Sequence, residues 1–248
     1  MLFRSSGSST FRLTVTNVND APVLVPAAPV LAGITEDDTG NAGQTVASLL
    51  GSTVSDVDAG AVQGIALYGV TGGYGKWQYS TSGGTAWTDV GTVSASAALL
   101  LRAMDWVRWL PDGTNGTAAT LGYYGWDQTS GTVGTTVSVA SRGGTTAFSS
   151  SADTASLTVV SMPDAPRVAN AIANASTPED LAFSFSFPAN SFAEVDFGDS
   201  ISGYSASLAS GASLPAWLSF DAATRTFIGT PQNTNVGAYY IKIGRAHV

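Results

Sequence analysis

The sequence predicts an all-β chain built from tandem antiparallel β-sandwich modules, and three observations carry that prediction. Apolar and polar residues alternate over short runs, as in Phe183-Ser184-Phe185-Ser186-Phe187, in Tyr239-Tyr240-Ile241-Lys242-Ile243, at Val137 and Val139, and at Tyr124 and Trp126. A period of two in β-branched and aromatic residues marks strands with one buried face. Glycine pairs at Gly72-Gly73, Gly83-Gly84 and Gly143-Gly144 punctuate these runs as turns. Finally, Leu13-Thr14-Val15-Thr16-Asn17-Val18-Asn19-Asp20-Ala21-Pro22 returns as Leu157-Thr158-Val159-Val160-Ser161-Met162-Pro163-Asp164-Ala165-Pro166. An apolar strand that runs twice into an Asp-Ala-Pro junction is the mark of a repeat array.

The junctions divide the chain. Residues 1–19 read as the last strand of a preceding repeat and residues 20–162 as one complete sandwich. Residues 163–248 read as a sandwich of a different subtype that stops before its last strand. Ala27-Ala28-Pro29 and Ala171–Ser176 are small-residue approaches to the first strand of each module. Trp77-Gln78-Tyr79-Ser80, Gly83-Gly84 and Trp87 form a predicted hairpin with its aromatic side chains on one face. The one helix-like stretch, Ser94 to Trp109 around Ala97-Ala98-Leu99-Leu100-Leu101, lacks caps and reads as a short turn feeding a strand. Many short strands with regular turn signals favour sandwiches. Leu2-Phe3-Arg4-Ser5 and Ile243-Gly244-Arg245-Ala246-His247-Val248 read as codon translations of sequencing-adapter ends. Both termini are therefore expected to be false ends of a fragment, and Met1 is not expected to be a native start. The one histidine, His247, lies in the second of these stretches.

Composition narrows the function classes. A chain of 248 residues has room for two cores. Acidic residues outnumber basic ones 18 to 10, for a net charge of -8. That balance argues against nucleic acid, whose phosphates need a basic face, and suits cations or simply solubility. No apolar run reaches the roughly 18 residues of a membrane-spanning helix. The absence of cysteine excludes disulfides, thiolate zinc sites and thiol catalysis. A Ser-His-Asp triad needs a histidine outside the suspected adapter. A pair of glycosidase carboxylates would have to come from acids that the junction motifs already claim. Phosphate loops and an opening Gly-x-Gly-x-x-Gly are also missing, so no catalysis is expected here.

The acidic residues recur in a fixed order. Asp20, Glu36 with Asp37, and Asp56 with Asp58 are echoed by Asp164, Glu179 with Asp180, and Glu194 with Asp196 and Asp199. Asp127 adds a further candidate ligand in the complete module. Calcium takes six to eight hard oxygens. Asp56 and Asp58, two apart on an extended segment, project to the same side. Carboxylates about 5 Å apart repel by on the order of 3 kcal/mol at an effective dielectric near 20, so clustering them favours a cation. Aspartate also favours turns, the reading preferred for Asp112 and Asp221; Asp105 stays open between the two. Trp77, Tyr79, Trp87, Tyr123, Tyr124 and Trp126 are candidates for stacking on sugars, although alternating aromatic residues are more often core. Trp217 reads as core. Asn115-Gly116-Thr117 and Asn174-Ala175-Ser176 fit the glycosylation pattern.

Asn19-Asp20-Ala21-Pro22 resembles the junction of cadherin-like repeats. The module after it is similar to those of very large bacterial surface adhesins. The matching pieces are Thr35-Glu36-Asp37, Ser55-Asp56-Val57-Asp58, Trp77 to Trp87, Pro111-Asp112 with Asn115-Gly116-Thr117, and Trp126-Asp127-Gln128-Thr129-Ser130-Gly131. Leu214-Pro215-Ala216-Trp217-Leu218-Ser219-Phe220-Asp221 and Thr226-Phe227-Ile228-Gly229-Thr230-Pro231 resemble the dystroglycan-type cadherin-like domain, an immunoglobulin-type sandwich. The resemblance implies calcium at the junctions, held by Asp20, Glu36, Asp37, Asp56, Asp58, Asp127, Asp164, Glu179, Asp196 and Asp199. It implies neighbouring repeats of the same chain as partners, with cell-surface or matrix glycans or proteins beyond them. It places the parent protein outside the cell, secreted or on a bacterial surface, as a stalk or in cell adhesion. The alternative is a non-catalytic carbohydrate-binding accessory module of a secreted polysaccharide-degrading enzyme. One departure matters: Met162-Pro163-Asp164 stands where the family has Asn before Asp, which removes an oxygen ligand from the second junction.

Overall fold

Alternating residues become strands wherever one face has something to bury it. A computed structural model describes residues 10–247. The first sandwich contains, in chain order, β1 (Val23–Leu24), β2 (Ile34–Thr35), β3 (Gln44–Thr45), the helix α1 (Val46–Leu50), β4 (Val54–Ser55), β5 (Gly64–Thr71), β6 (Gly75–Ser80), β7 (Thr88–Asp89), β8 (Ala98–Arg102), β9 (Trp106–Pro111), β10 (Thr117–Trp126), β11 (Thr136–Val137) and β12 (Phe148–Val160). A six-stranded sheet of order β11-β8-β5-β10-β12-β2 packs on a four-stranded sheet of order β3-β9-β6-β7. The all-β expectation holds. Pairing is antiparallel except where β2 runs parallel to β12, with Val159 opposite Ile34 and Val160 opposite Thr35.

The core lies between the two sheets. Ile65, Leu67, Leu99, Leu101, Leu121 and Tyr123 of the large sheet meet Trp77, Val107 and Trp109 of the small one. Trp77 and Trp109 pack edge to face, with centroids 5.5 Å apart. A second apolar layer of Ala66, Ala98, Leu100, Trp126, Val139 and Phe148 covers the other face of the large sheet. Ala98–Leu101 is therefore buried on both faces, which explains why it has no alternation to read. Ser94–Trp109 accordingly holds two strands, β8 and β9, rather than one. The helix α1 was not foreseen: Thr45 caps it by accepting from the Ser48 amide at 3.0 Å, and Val46, Leu49 and Leu50 turn into the core. Asp153, buried in β12, accepts from the amides of Ala27 and Ala28 and from the Tyr123 hydroxyl, and so fastens the approach segment to the sheet. Burial, then the Asp153 charge, pushes the Tyr123 hydroxyl pKa up.

The second unit contains β13 (Arg167–Val168), β14 (Phe183–Ser186), β15 (Phe192–Ala193), β16 (Ile201–Leu208), β17 (Leu218–Asp221), β18 (Thr226–Gly229) and β19 (Ile241–His247). Its sheets are small: β14-β18-β17, β16-β19 and β13-β15. Phe187, Phe192, Leu218 and Phe227 are its buried core, and Phe187 stacks on Phe220 with centroids 6.1 Å apart. Residues 172–179 and 238–241 with Ile243 flank a cleft of about 1000 Å³ lined by polar and apolar side chains. The run from Ile243 to His247, suspected above as adapter, belongs to β19.

Candidate cation-binding junctions

At one end of the first sandwich the segment before β1 is hooked onto carboxylates. The Asn17 side-chain amide donates to Asp58 Oδ1 at 2.9 Å, and the Asp20 backbone amide donates to Asp58 Oδ2 at 2.8 Å. Those two donors, the Asp20 amide first, hold the Asp58 carboxyl below the usual range. The Asp58 amide in turn donates to Asp56 Oδ1 at 2.9 Å, while Asp56 Oδ2 is buried without a protein partner. Asp127 is buried; Asn19 donates to one of its oxygens and Thr129 to the other. Its geometry is that of a clamp between the linker and the sandwich.

The opposite end gathers a different set. The sequence order groups Glu36 and Asp37 with Asp20, Asp56 and Asp58; the structure corrects that grouping. Because β2 runs parallel to the end of β12, Glu36 follows Thr35 to the point where the chain leaves for the second unit. The Met162 amide donates to Glu36 Oε1, and the Glu36 amide donates to Val160 at 3.1 Å. Glu36 is fully buried, and its Oε2 has no protein partner. Across the junction, the Asp164 amide donates to Asp196 Oδ2 at 2.7 Å, leaving Asp196 Oδ1 buried and unpartnered. Burial, then repulsion from Asp196, Asp37 and Glu36, raises the Asp164 carboxyl above its ordinary pKa. Glu194 also buries both carboxylate oxygens without partners.

Buried carboxylate oxygens are normally hydrogen-bonded, so a set of orphans needs an explanation. An oxygen-only donor set with surplus negative charge fits a hard divalent cation such as calcium. Among the described residues, no three such groups are already drawn together around one point. The carboxylates are neighbours held by amides, not a finished cage. Asp199 closes a turn on the Asp196 carbonyl. Glu179 and Asp180 are exposed and lie at the far end of the second unit, where the Asp180 amide donates to Pro231. They are not brought to Asp164.

In the sequence Asn115 belongs to a glycosylation pattern and to one of the pieces that carry the family resemblance. It is buried, its Oδ1 accepts from the Phe197 amide at 2.7 Å, and its side-chain amide turns to Asp112 and Thr114. Phe197 also meets Tyr74 of the first sandwich, with centroids 6.1 Å apart. Asn115 is thus a bridge between the units, held there because Asp112 caps the turn that precedes it.

Residues 165–246, a third of the chain, match the family model described as Putative Ig domain. No curated protein and no solved structure matches the chain. Over those residues the second unit is similar to an Ig-like domain, in keeping with its all-β fold.

The remaining candidates fall into place around the first sandwich and the Ig-like unit. Asp105 is buried in a bidentate pair with Arg102, at 2.7 and 3.2 Å, and also accepts the Arg102 backbone amide, so its role is structural. Asp112 and Asp221 accept turn amides two and three residues on. Trp77, Tyr123 and Trp126 are buried, and Tyr79 packs against the core. Trp87 lies under the Arg108 guanidinium and Tyr124 under that of Arg142. Since Arg108 also bonds Gln78, whose neighbours Trp77 and Tyr79 point inward, Trp87 sits on the outer face and not with them. No continuous aromatic platform for a sugar is present among these six.

The raised Asp164 pKa sets a pH dependence. A carboxyl with a higher pKa folded than unfolded binds its proton more tightly when folded. Its stabilising contribution is present at low pH and is lost as pH rises through the folded value. With chelator present, melting temperature should fall across that range, and Asp164→Asn should flatten the profile. An Asp164→Asn profile superimposable on the parent would remove Asp164 as the source.

Proposed function

We propose that this chain is a calcium-stabilised spacer and adhesion segment of a large secreted bacterial surface protein, in which cations stiffen the links between successive sandwiches. The observation that carries this reading is the second junction. There Glu36 and Asp37 from one unit face Asp164 and Asp196 from the next, with buried oxygens on Glu36 and Asp196 left unpartnered. A divalent cation supplies the positive charge that these oxygens lack. Glu36, Asp37, Asp164 and Asp196 would hold it, with Glu194 adjacent in sequence. Asp20, Asp56 and Asp58 would serve the equivalent site at the first junction, with Asp127 fastening the linker beside it. The reading assigns no catalysis to the segment, and it makes neighbouring repeats the first partners. Cell-surface or matrix ligands belong to domains that such a stalk would carry outward.

Calcium titration with thermal melting tests this. Extracellular calcium modules bind at roughly 0.1–1 mM. Calcium at 100 times Kd adds about 2.7 kcal/mol per site to folding stability. In units of this size that raises Tm by roughly 5–10 °C over the value in chelator. Glu36→Gln should remove most of the increment at the second junction. No calorimetric binding and an unmoved Tm would end the proposal.

A further inference from the structure

The loop from β9 to β10 grips both the linker and the Ig-like unit, using two neighbouring residues. Asp112 accepts the amides of Thr114 and Asn115 at 3.0 Å and closes a turn. The Asn115 side-chain amide donates inside that turn, to Thr114 Oγ1 at 2.7 Å and to Asp112 Oδ2 at 3.4 Å. A carboxylate only accepts, so the nitrogen faces Asp112 and the oxygen is turned outward. That oxygen takes the Phe197 amide at 2.7 Å. The next residue takes the linker: the Gly116 amide donates to the Ser161 hydroxyl at 3.3 Å. A Cβ at Gly116 would lie 2.6 Å from the Ser161 nitrogen and 2.7 Å from the Val159 carbonyl oxygen, so only glycine lets the linker come this close.

Ser161 and Phe197 are therefore tied to consecutive residues of one loop. A single tether lets a unit swing about its linker; a second tether beside the first removes that freedom. Phe197 leaves its ring 81 % exposed, so its backbone amide carries the attachment more than the ring does. Tyr74, whose ring meets that of Phe197, is a bulky residue at a φ of 58°, and its carbonyl accepts the Asp112 amide at 3.0 Å. Such strain persists only where the surroundings over-determine it. The turn before β6 is in this way bound into the same loop.

What the second tether holds is an acid. The Phe197 amide belongs to the peptide bond that leaves Asp196, whose Oδ2 accepts the Asp164 amide as Asp58 Oδ2 accepts that of Asp20. At Asp58 the other oxygen takes the side chain of Asn17, three residues before Asp20. Three residues before Asp164 stands Ser161, which is turned to Gly116, and Asp196 Oδ1 has no such donor. We propose that Asn115 is the positioning residue of the second junction: it docks the Ig-like unit on the first sandwich before any cation arrives and fixes where Asp196 stands. A neutral side chain bonded to a backbone amide needs no metal and does not titrate. Asp196, Asp37 and Glu36, by contrast, repel Asp164 while no cation is bound. The docking goes beyond the calcium reading; only the effect of Asn115 on calcium affinity rests on it.

Distances between the units test this. The chain has no cysteine, so Ser52→Cys and Ser213→Cys, at exposed positions of the two units, accept spin labels without competition. Pulsed electron paramagnetic resonance on the labelled full chain in chelator should give a single narrow distance peak, little changed by calcium. Asn115→Ala should replace that peak in chelator by a broad distribution. Phe197→Pro deletes the donor instead of the acceptor and leaves the first sandwich alone, so it keeps the test decisive if Asn115→Ala disturbs its own loop. It should broaden the distribution equally. Phe197→Ala keeps the amide and should match the parent. Asn115→Ala should also raise the calcium Kd of the second junction by about fivefold, the worth of one hydrogen bond. A broad parent distribution in chelator overturns the proposal. So does a narrow one in Asn115→Ala or Phe197→Pro, or a Phe197→Ala distribution as broad as that of Phe197→Pro. A narrow parent peak without calcium binding keeps the docking and ends the calcium reading; a broad parent distribution that calcium narrows does the reverse.

Discussion

Trp109→Ala should lower the stability of the first sandwich by about 3–5 kcal/mol, the range for truncating a buried tryptophan. Trp109 is 2 % exposed and packs edge to face on Trp77 from the facing position of β6. The backbone is shaped around it. Gly75 holds a φ of 154°, and a Cβ there would lie 2.6 Å from both the Leu110 carbonyl and the Trp109 ring nitrogen. Emptying the site leaves a large cavity between sheets that share one core, and neither sheet can collapse into it without breaking its own ladder. In a unit of this size Tm should fall by roughly 6–20 °C. Trp87→Ala is the control. It lies on the outer face under Arg108, so it gives up a contact worth about 0.5–1 kcal/mol. Scanning calorimetry on both variants should separate them clearly; equal losses would mean that the two sheets do not share the core described.

The strand content was legible because alternation is a local signal that burial on one face enforces. Phe183-Ser184-Phe185-Ser186 became β14, and Trp77-Gln78-Tyr79-Ser80 became β6. Where both faces are buried the signal vanishes, as at Ala98–Leu101, whose second face is covered by the distant Val139 and by Phe148 at the start of β12. The helix α1 is a single capped turn, too short to show a period. Which acids would be near one another was also written in the sequence, but only through pairing. The echo between Leu157-Thr158-Val159 and Leu13-Thr14-Val15 marks the strand; that it runs parallel to Ile34–Thr35, and so sends Glu36 to the far junction, is a long-range fact. Asn115 was missed for a similar reason. Its partner, the Phe197 amide, comes from the next unit, and nothing local distinguishes a bridging asparagine from a turn asparagine. Asp127 was found as an acid, but its fastening to Asn19 spans 108 residues.

Limited proteolysis of the parent chain at low concentration should cut the Ig-like unit first and leave residues 20–162 as the resistant product. The two units differ in how much they bury. The first has two apolar clusters within a unit of twelve strands in three sheets, whereas among the described residues the Ig-like unit has a core of four buried apolar residues and an open cleft. Partly covered side chains such as Phe183, Phe185 and Trp217 line that cleft, and each Å² of apolar surface left wet forgoes about 25 cal/mol. Among the described residues β19 is paired on one side, so local opening there costs less than in β12, which is paired on both sides. Cleavage that tracks local opening should therefore start after about residue 162. Two fragments of equal resistance would show that the Ig-like unit holds its core as firmly as the first sandwich does.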